Sequence, residues 1–298
     1  MQVATTLLMA VYSSIEYYPP SLNALNNFTQ RFKNITILSR NVKPLDWTYT
    51  DNVENVLSGD FTPIRQVEQQ PTYWKFLSFL EYTWNMWRIL RTQKPQLIIL
   101  YDVIPTFAYY LISFFHKKNH ILWYHNHDVT EIAAVRKYSV SWWAVKAEKK
   151  LFRYVDIFSL PSQERKVCFD LSLFKGQYYF IPNLPSLLLY KKFYAPKTLQ
   201  NVLKLIYQGA IAKGHGLEQI ITTILPQKIQ DRKIELHLKG IISENYKTEL
   251  LQLAATHGVE NAIVFHGFGA YQDVPKVASE CHVGIAIHTG TDTMNKTL

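Results

Sequence analysis

Short, near-continuous apolar runs alternate with longer stretches of helical spacing along almost the whole chain. The runs VATTLLMAVY (3–12), ITILS (35–39), QLIILY (96–101), HILWYH (120–125), VDIFSL (155–160) and YYFI (178–181) predict strands. Helical stretches near 21–32, 72–93, 104–117, 138–153 and 163–173 lie between them. Strands that are apolar on both faces belong in a parallel sheet covered by helices on each side. Residues 1–183 therefore predict a doubly wound α/β domain.

Three prolines in IPNLPSLLLYKKFYAPKT (181–198) break the alternation, so 184–200 reads as an interdomain linker. A second series follows over 201–298: strands at 202–208, 233–238, 262–268 and 282–287, and helices at 216–226, 244–257 and 271–279. Two Rossmann-like halves predict a cleft, with ligands beyond the carboxyl ends of the strands. After HVGIAI only HTGTDTMNKTL (288–298) remains, so the second half is expected to be C-terminally incomplete and the sequence a fragment.

Composition narrows the partner. Of the 298 residues 48% are hydrophobic and only 18% charged, which fits a globular chain with ample core material. A formal charge of +9 without any dense Lys/Arg run favours a small anion or a phospholipid surface over nucleic acid. Cys168 and Cys281 read as free thiols of a reducing compartment, hence a cytoplasmic protein. The apolar start lacks a basic n-region and reads as a buried strand, and no run reaches the ~20 residues of a membrane span.

The stretch YQGAIAKGHGLEQII (207–221) joins a strand to a helix through a glycine-rich basic turn. Gly209, Gly214 and Gly216 free backbone N–H groups to converge on a phosphate at the helix start, with Lys213 and His215 adding side-chain donors. A plain tight turn needing glycine for positive φ is the competing reading. His127 and Asp128 close the strand at 120–125, either as cleft residues or as a loop histidine with a helix-capping aspartate. His125 is read as structural and turned away from His127. The pattern His125-x-His127-Asp128 lacks further ligands at metal spacing, so no metal is expected.

The segment YWKFLSFLEYTWNMWRILR (73–91) carries Lys75, Arg88 and Arg91 among many aromatics, and 142–153 carries Lys146, Lys149, Lys150 and Arg153. A membrane-surface helix and a helix packed into the first domain both fit.

Several segments together resemble the GT-B-fold glycosyltransferases, in particular bacterial family 4-like retaining enzymes. They are EYYPPSLNALNNF (16–28), HILWYHNHD (120–128), YFIPN (179–183), YQGAIAKGHGLE (207–218), AIVFHGF (262–268) and HVGIAIH (282–288), in family order over nearly the whole chain. The resemblance implies an acceptor-binding first domain and a second domain that binds a nucleotide-sugar donor. It also implies His127 facing the transferred sugar, with Asp128, Asn183 and Gly267 in the cleft. The turn at 209–216 would hold the departing diphosphate without metal or other cofactor.

Two positions depart from the family. Relatives carry Arg after the first glycine and Lys before the glycine that opens the helix, where this chain has Ala210 and His215. Lys213 is expected to compensate. The family's Glu-rich donor segment has no match before Leu298. Transfer of a hexosyl group in envelope or exopolysaccharide synthesis, onto a saccharide or lipid-linked acceptor at the inner face of the membrane, is the expected role. The alternatives are a non-catalytic GT-B-like subunit that binds a partner transferase, and a GT-B-fold sugar-nucleotide epimerase.

Overall fold

A computed structural model describes residues 6–42, 47–60, 70–198 and 201–287. The chain divides into a unit ending at Leu184 and a second beginning at Pro185. The residues HTGTDTMNKTL, on which the expectation of an incomplete second half rests, lie outside the described residues.

The first unit is built on seven parallel strands: β1 Thr6–Val11, β2 Asn34–Arg40, β3 Val53–Ser58, β4 Leu97–Tyr101, β5 Ile121–His125, β6 Ile157–Leu160 and β7 Gln177–Phe180. Their order is β3-β2-β1-β4-β5-β6-β7, which reverses direction between β1 and β4. That reversal is the switch point at which doubly wound folds hold ligands. Helix α1 (Pro19–Phe28) follows β1 and opens on two prolines, whose fixed φ suits a first helical turn. On the opposite face lie α2 (Thr72–Thr92), α3 (Val103–Ser113) and α4 (Val140–Leu151). Leu8, Ala10, Ile98, Leu100, Leu122 and Tyr124 pack under those three helices with Phe79, Met86, Tyr109 and Phe152. The alternate residues Leu7, Met9, Ile35 and Ile37 are buried on the α1 side.

Two elements differ from the sequence expectation. β3 was not foreseen, because VENVLS is a half-exposed edge strand rather than an apolar run. The helix expected at 163–173 is only a 3-10 turn, Glu164–Cys168. Phe169 turns extended there and inserts between the rings of Phe158 and Phe152, at centroid distances of 5.1 and 6.2 Å. Burying that ring, at roughly 1.5–3 kcal/mol, outweighs the helical spacing.

The second unit carries the short helix α5 (Leu187–Lys191), capped by Ser186, within the stretch expected to be a linker. Its sheet holds β8 Val202–Ile211, β9 Lys233–Ile242, β10 Ile263–Gly267 and β11 Val283–Ile285, all parallel, in the order β10-β9-β8-β11. This repeats the 3-2-1-4 order of the first unit. After β8 the helix α6 (Leu217–Gln219) continues as a π-helical turn, Ile220–Ile224. α7 (Glu244–Thr256) and α8 (Val274–Ser279) complete the crossovers. Leu205, Tyr207, Leu236 and Leu238 pack against Leu217, Ile221 and Leu250.

Candidate functional site

At the carboxyl edge of the first sheet, Asp102 links β4 to α3 with φ 65° and ψ 178°. That region is populated almost only by glycine and costs on the order of 1–3 kcal/mol for another residue. The surrounding bonds hold it there. Asp102 N–H donates to the His125 carbonyl at 3.0 Å, and the Thr106 hydroxyl donates to the Asp102 carbonyl at 2.6 Å. Its carboxylate Oδ1 accepts the backbone N–H of His127 at 2.7 Å and that of Asp128 at 3.3 Å. The chain beyond β5 is thereby bent so that His127 lies over the switch point.

The His127 ring is buried. It stacks on Tyr101 at 5.1 Å, lies 5.6 Å from Tyr18 and meets His125 edge-on at 4.6 Å. Nε2 is 3.4 Å from the Ser21 hydroxyl. Nδ1 has no hydrogen-bond partner among the described residues and lies 3.8 Å from Oδ2 of Asp102. The buried guanidinium of Arg165 donates to the His127 carbonyl. An imidazole held by its backbone, flanked by two phenols and with its inner nitrogen toward the Asp102 carboxylate is fixed in one orientation.

His125 does not turn away from His127. Residues two apart on an extended chain share a face, and both rings line the same pocket. His125 Nδ1 shares the Ser159 hydroxyl (2.7 Å) with Trp123 Nε1 (2.6 Å), and burial, with His127 next to it, pulls its pKa down to about 3. It is a neutral supporting ring. Asp128 is exposed; the partly desolvated setting of its carboxyl and the neighbouring Asp102 raise its pKa. Tyr18 is pushed up to about 12 by burial and by Asp102 and Asp128, so its phenol stays protonated.

A pocket of about 290 Å³ opens beside these rings. Asn23, Asn27 and Phe28 of α1 form one wall, Trp123 and the two histidines another, and Asn183 closes a third. Asn23 Nδ2 donates to the Leu184 carbonyl at 3.3 Å and ties that segment to α1. Aromatic faces alternating with carboxamides suit a polyhydroxylated ligand.

In the second unit the glycine-rich stretch is distributed differently from the expectation. Gly209 and Ala210 belong to β8, in register with Gly240 and Ile241 of β9. Gly209 and Gly240 cross so closely that a Cβ on Gly240 would lie 1.7 Å from the Gly209 carbonyl oxygen. The turn proper is 212–216, with Gly214 at φ 90° and Gly216 at φ 67°. Gly216 opens α6 without a side-chain cap, and a Cβ there would meet Ile287 at 2.8 Å.

Lys213 is exposed and paired with Glu249 of α7 at 2.6 Å, which raises its pKa. Solvent screens so exposed a pair, so a phosphate could displace it. His215 Nδ1 lies 2.5 Å from the Tyr207 hydroxyl, which also donates to the Ala210 carbonyl at 3.0 Å. Gly267, at φ 69°, ends β10 in register with Lys239.

Sequence reasoning missed Asp102, Arg165 and Lys239. Asp102 ends the buried run QLIILY, the position at which an α/β fold exposes functional groups, so that signal was available. Arg165 lies 38 positions beyond its partner, and no local spacing announces it. Lys239 interrupts the strand LHLKG. It is only 7% exposed, and its ammonium has no ion-pair partner among the described residues. Its Nζ lies 3.3 Å from where a Cβ of Gly269 would be, while a Cβ on Gly209 or on Gly267 would meet nothing within 4 Å. The same Cβ position on Gly269 lies 3.2 Å from Oδ2 of Asp273, so the ammonium and this carboxylate both border Gly269. Among the described residues no three His, Cys, Asp or Glu side chains group as metal ligands do.

No protein-family model and no curated protein matches this sequence. Solved structures do. Sucrose-phosphate synthase from Thermosynechococcus elongatus aligns over 94% of this chain and 74% of its own, at TM-score 0.65 and 11% identity. Anabaena HepE in complex with UDP and glucose aligns over 96% and 75%, at TM-score 0.62 and 16% identity. A UDP-N-acetylglucosamine 2-epimerase aligns over 94% and 73%, at TM-score 0.54 and 9% identity.

The fold is GT-B.

At such identities the likeness concerns architecture, in which two Rossmann-like units follow one another in a single chain. The reaction has to be argued from the residues.

Proposed function

We propose that this chain is a glycosyltransferase that moves a sugar from a nucleotide-sugar to an acceptor hydroxyl with retention at the anomeric carbon. The family 4-like type and a role in envelope or exopolysaccharide synthesis belong to the same proposal. The observation that carries it is the buried His127 imidazole, oriented by Asp102 and lining the pocket over the switch point of a GT-B first unit.

The first unit takes the acceptor, its hydroxyl groups meeting Asn23, Asn27 and Asn183 while its ring lies on Phe28 and Trp123. The second unit takes the donor. Backbone N–H groups of 214–217 and the cations Lys213 and Lys239 receive the diphosphate, with His215 as a further donor; this supplies the charge that Ala210 does not. As the glycosidic bond breaks, negative charge grows on the diphosphate and positive charge on the sugar ring. Preorganised donors stabilise the first, and a metal is not required for that. The second is served by the Asp102 anion acting through His127. Because the His127 carbonyl already accepts from Arg165, the imidazole rather than the carbonyl is the group offered to the sugar.

An epimerase needs a carboxylate free to move a proton. Asp102 Oδ1 is committed to two backbone N–H groups, which leaves the exposed Asp128 as the carboxylate for that reading; turnover of a nucleotide-sugar without any acceptor would assign the chain to it. Isothermal titration with UDP, ADP and GDP, followed by a donor-consumption assay with saccharide acceptors, tests the reading. Binding of one diphosphate together with transfer is expected. Absence of any nucleotide binding overturns it, and binding without turnover assigns the chain to non-catalytic GT-B-like subunits.

A further inference from the structure

Helix α2 is apolar on its outside as well as its inside. Phe79, Tyr82, Met86, Ile89 and Leu90 face the core. Tyr73, Leu77, Leu80 and Trp84, at helical spacings of four, three and four, form a stripe open to solvent, with Tyr73 61% and Trp84 60% exposed. Trp74 and Phe76 widen it at the N-terminal end. A surface helix that carries a second apolar stripe opposite its core face has something to cover there, and an interfacial zone of a bilayer is one such cover.

The stripe continues onto a neighbouring element. Arg136 donates to the Thr72 hydroxyl at 3.1 Å and holds the segment before α4 against the start of α2. Tyr138, 65% exposed, and Trp143 stand there, with Trp142 packed on Trp143 at 4.7 Å. Helices that cross over between parallel strands begin at the carboxyl edge of the sheet, so Tyr73, Trp74 and the 138–143 segment lie at the edge that carries His127, and Leu80 and Trp84 extend the stripe along α2 away from it.

The charges beside these aromatics are mainly positive. Arg88 and Arg91 prolong the stripe, Lys75 flanks it, and Lys137 and Lys146 lie over the Tyr138 and Trp142 rings at 5.1 and 5.4 Å. Glu81, the single acid of α2, is turned to the backbone N–H of Gly59 at 2.9 Å. Exposed Trp and Tyr with a basic rim match the interfacial zone of a bilayer carrying anionic lipid.

We propose that the outer face of α2 and the 138–143 segment dock this protein on an anionic membrane surface, with the carboxyl edge of the first sheet beside the lipid. Docking is independent of the transfer reaction and can be measured if that reading fails.

Co-sedimentation of the full chain with vesicles of phosphatidylcholine alone, or mixed with phosphatidylglycerol, tests it. Binding is expected only to the mixed vesicles and should weaken with salt. The double variant Trp74→Glu/Trp84→Glu should bind about tenfold or more weakly with an unchanged circular dichroism spectrum, because it places charge where apolar rings enter the interface. Leu251→Glu, on exposed surface of the second unit, should bind like the parent. Equal binding to both vesicle types overturns the proposal, as does undiminished binding of the double variant. So does a concentration-dependent dimer, lost in the double variant, in a protein that ignores vesicles.

Discussion

Oδ1 of Asp102 lies 2.7 Å from the backbone nitrogen of His127, and this bond joins a residue of glycine-like backbone conformation to the candidate catalytic group of the first unit. The aspartate keeps a glycine-like backbone, and in return two consecutive N–H groups beyond β5 are satisfied. Asp102→Ala should lose both the acceptor and its charge, at about 2–3 kcal/mol in urea unfolding. Asp102→Asn retains an acceptor at the same position and should cost about 1 kcal/mol. Equal losses for the two variants would show that the carboxylate's bond to the His127 N–H does not set the stability.

His127→Ala tests the imidazole itself. The ring fills space beside Tyr101 and Tyr18, so a modest stability loss is expected, but turnover should fall about 10²–10³-fold. Nucleoside diphosphate affinity, which the proposal assigns to the second unit, should stay unchanged in titration. A variant that loses diphosphate affinity while retaining turnover would reverse this assignment of roles.

The fold was legible because parallel sheets write their strands as apolar runs, and ITILS, QLIILY and HILWYH needed no tertiary information. β3 was not legible, since an edge strand with one face in solvent carries no such run. The site divides in the same way. His127, Asn183 and Gly216 sit at strand ends or in turns, where local sequence announces them. Arg165 and Lys239 are defined by what they meet in space, so only the folded chain identifies them. Helix α2 was ambiguous for a related reason: apolar residues on two sides identify a helix but not what covers each side.

A pH prediction follows from Glu148 on α4. It accepts the Tyr124 hydroxyl at 2.5 Å, and burial raises its pKa from 4.5 to about 7. A raised carboxyl pKa means the folded state holds the proton more tightly. The stabilisation is complete below the unfolded pKa and is lost as pH rises through the folded value. For a side chain that keeps some solvent contact, about 2 kcal/mol should disappear between pH 4.5 and 7. His125 acts in the opposite direction, its depressed pKa favouring the fold as pH rises. The comparison is therefore between the parent and Glu148→Gln, which retains His125. Their stability difference should grow in favour of Gln across that window, and parallel pH profiles in urea unfolding would refute it.

Gly240→Ala should disrupt the second unit. Its Cβ would fall within bonding distance of the Gly209 carbonyl oxygen, and φ 155° is unfavourable for alanine. Relief requires β8 and β9 to separate locally, at about 3 kcal/mol. The loss should appear as an earlier unfolding transition in calorimetry, with near-ultraviolet signals from the tryptophans unchanged at that transition, since all seven lie in the first unit.

Lys239→Met separates a structural role from a ligand-binding one. Lys239 is largely buried and makes no ion pair among the described residues. A methionine of similar length fills the same space, so thermal stability of the ligand-free protein should stay equal or rise. If the ammonium is retained to meet a diphosphate at the carboxyl edge of β8, β9 and β10, affinity should fall about tenfold, the value of one charge-assisted contact. Gains in stability and losses in affinity from a single substitution would mark Lys239 as a site residue. A variant that loses stability while binding as before would mark it as a structural one.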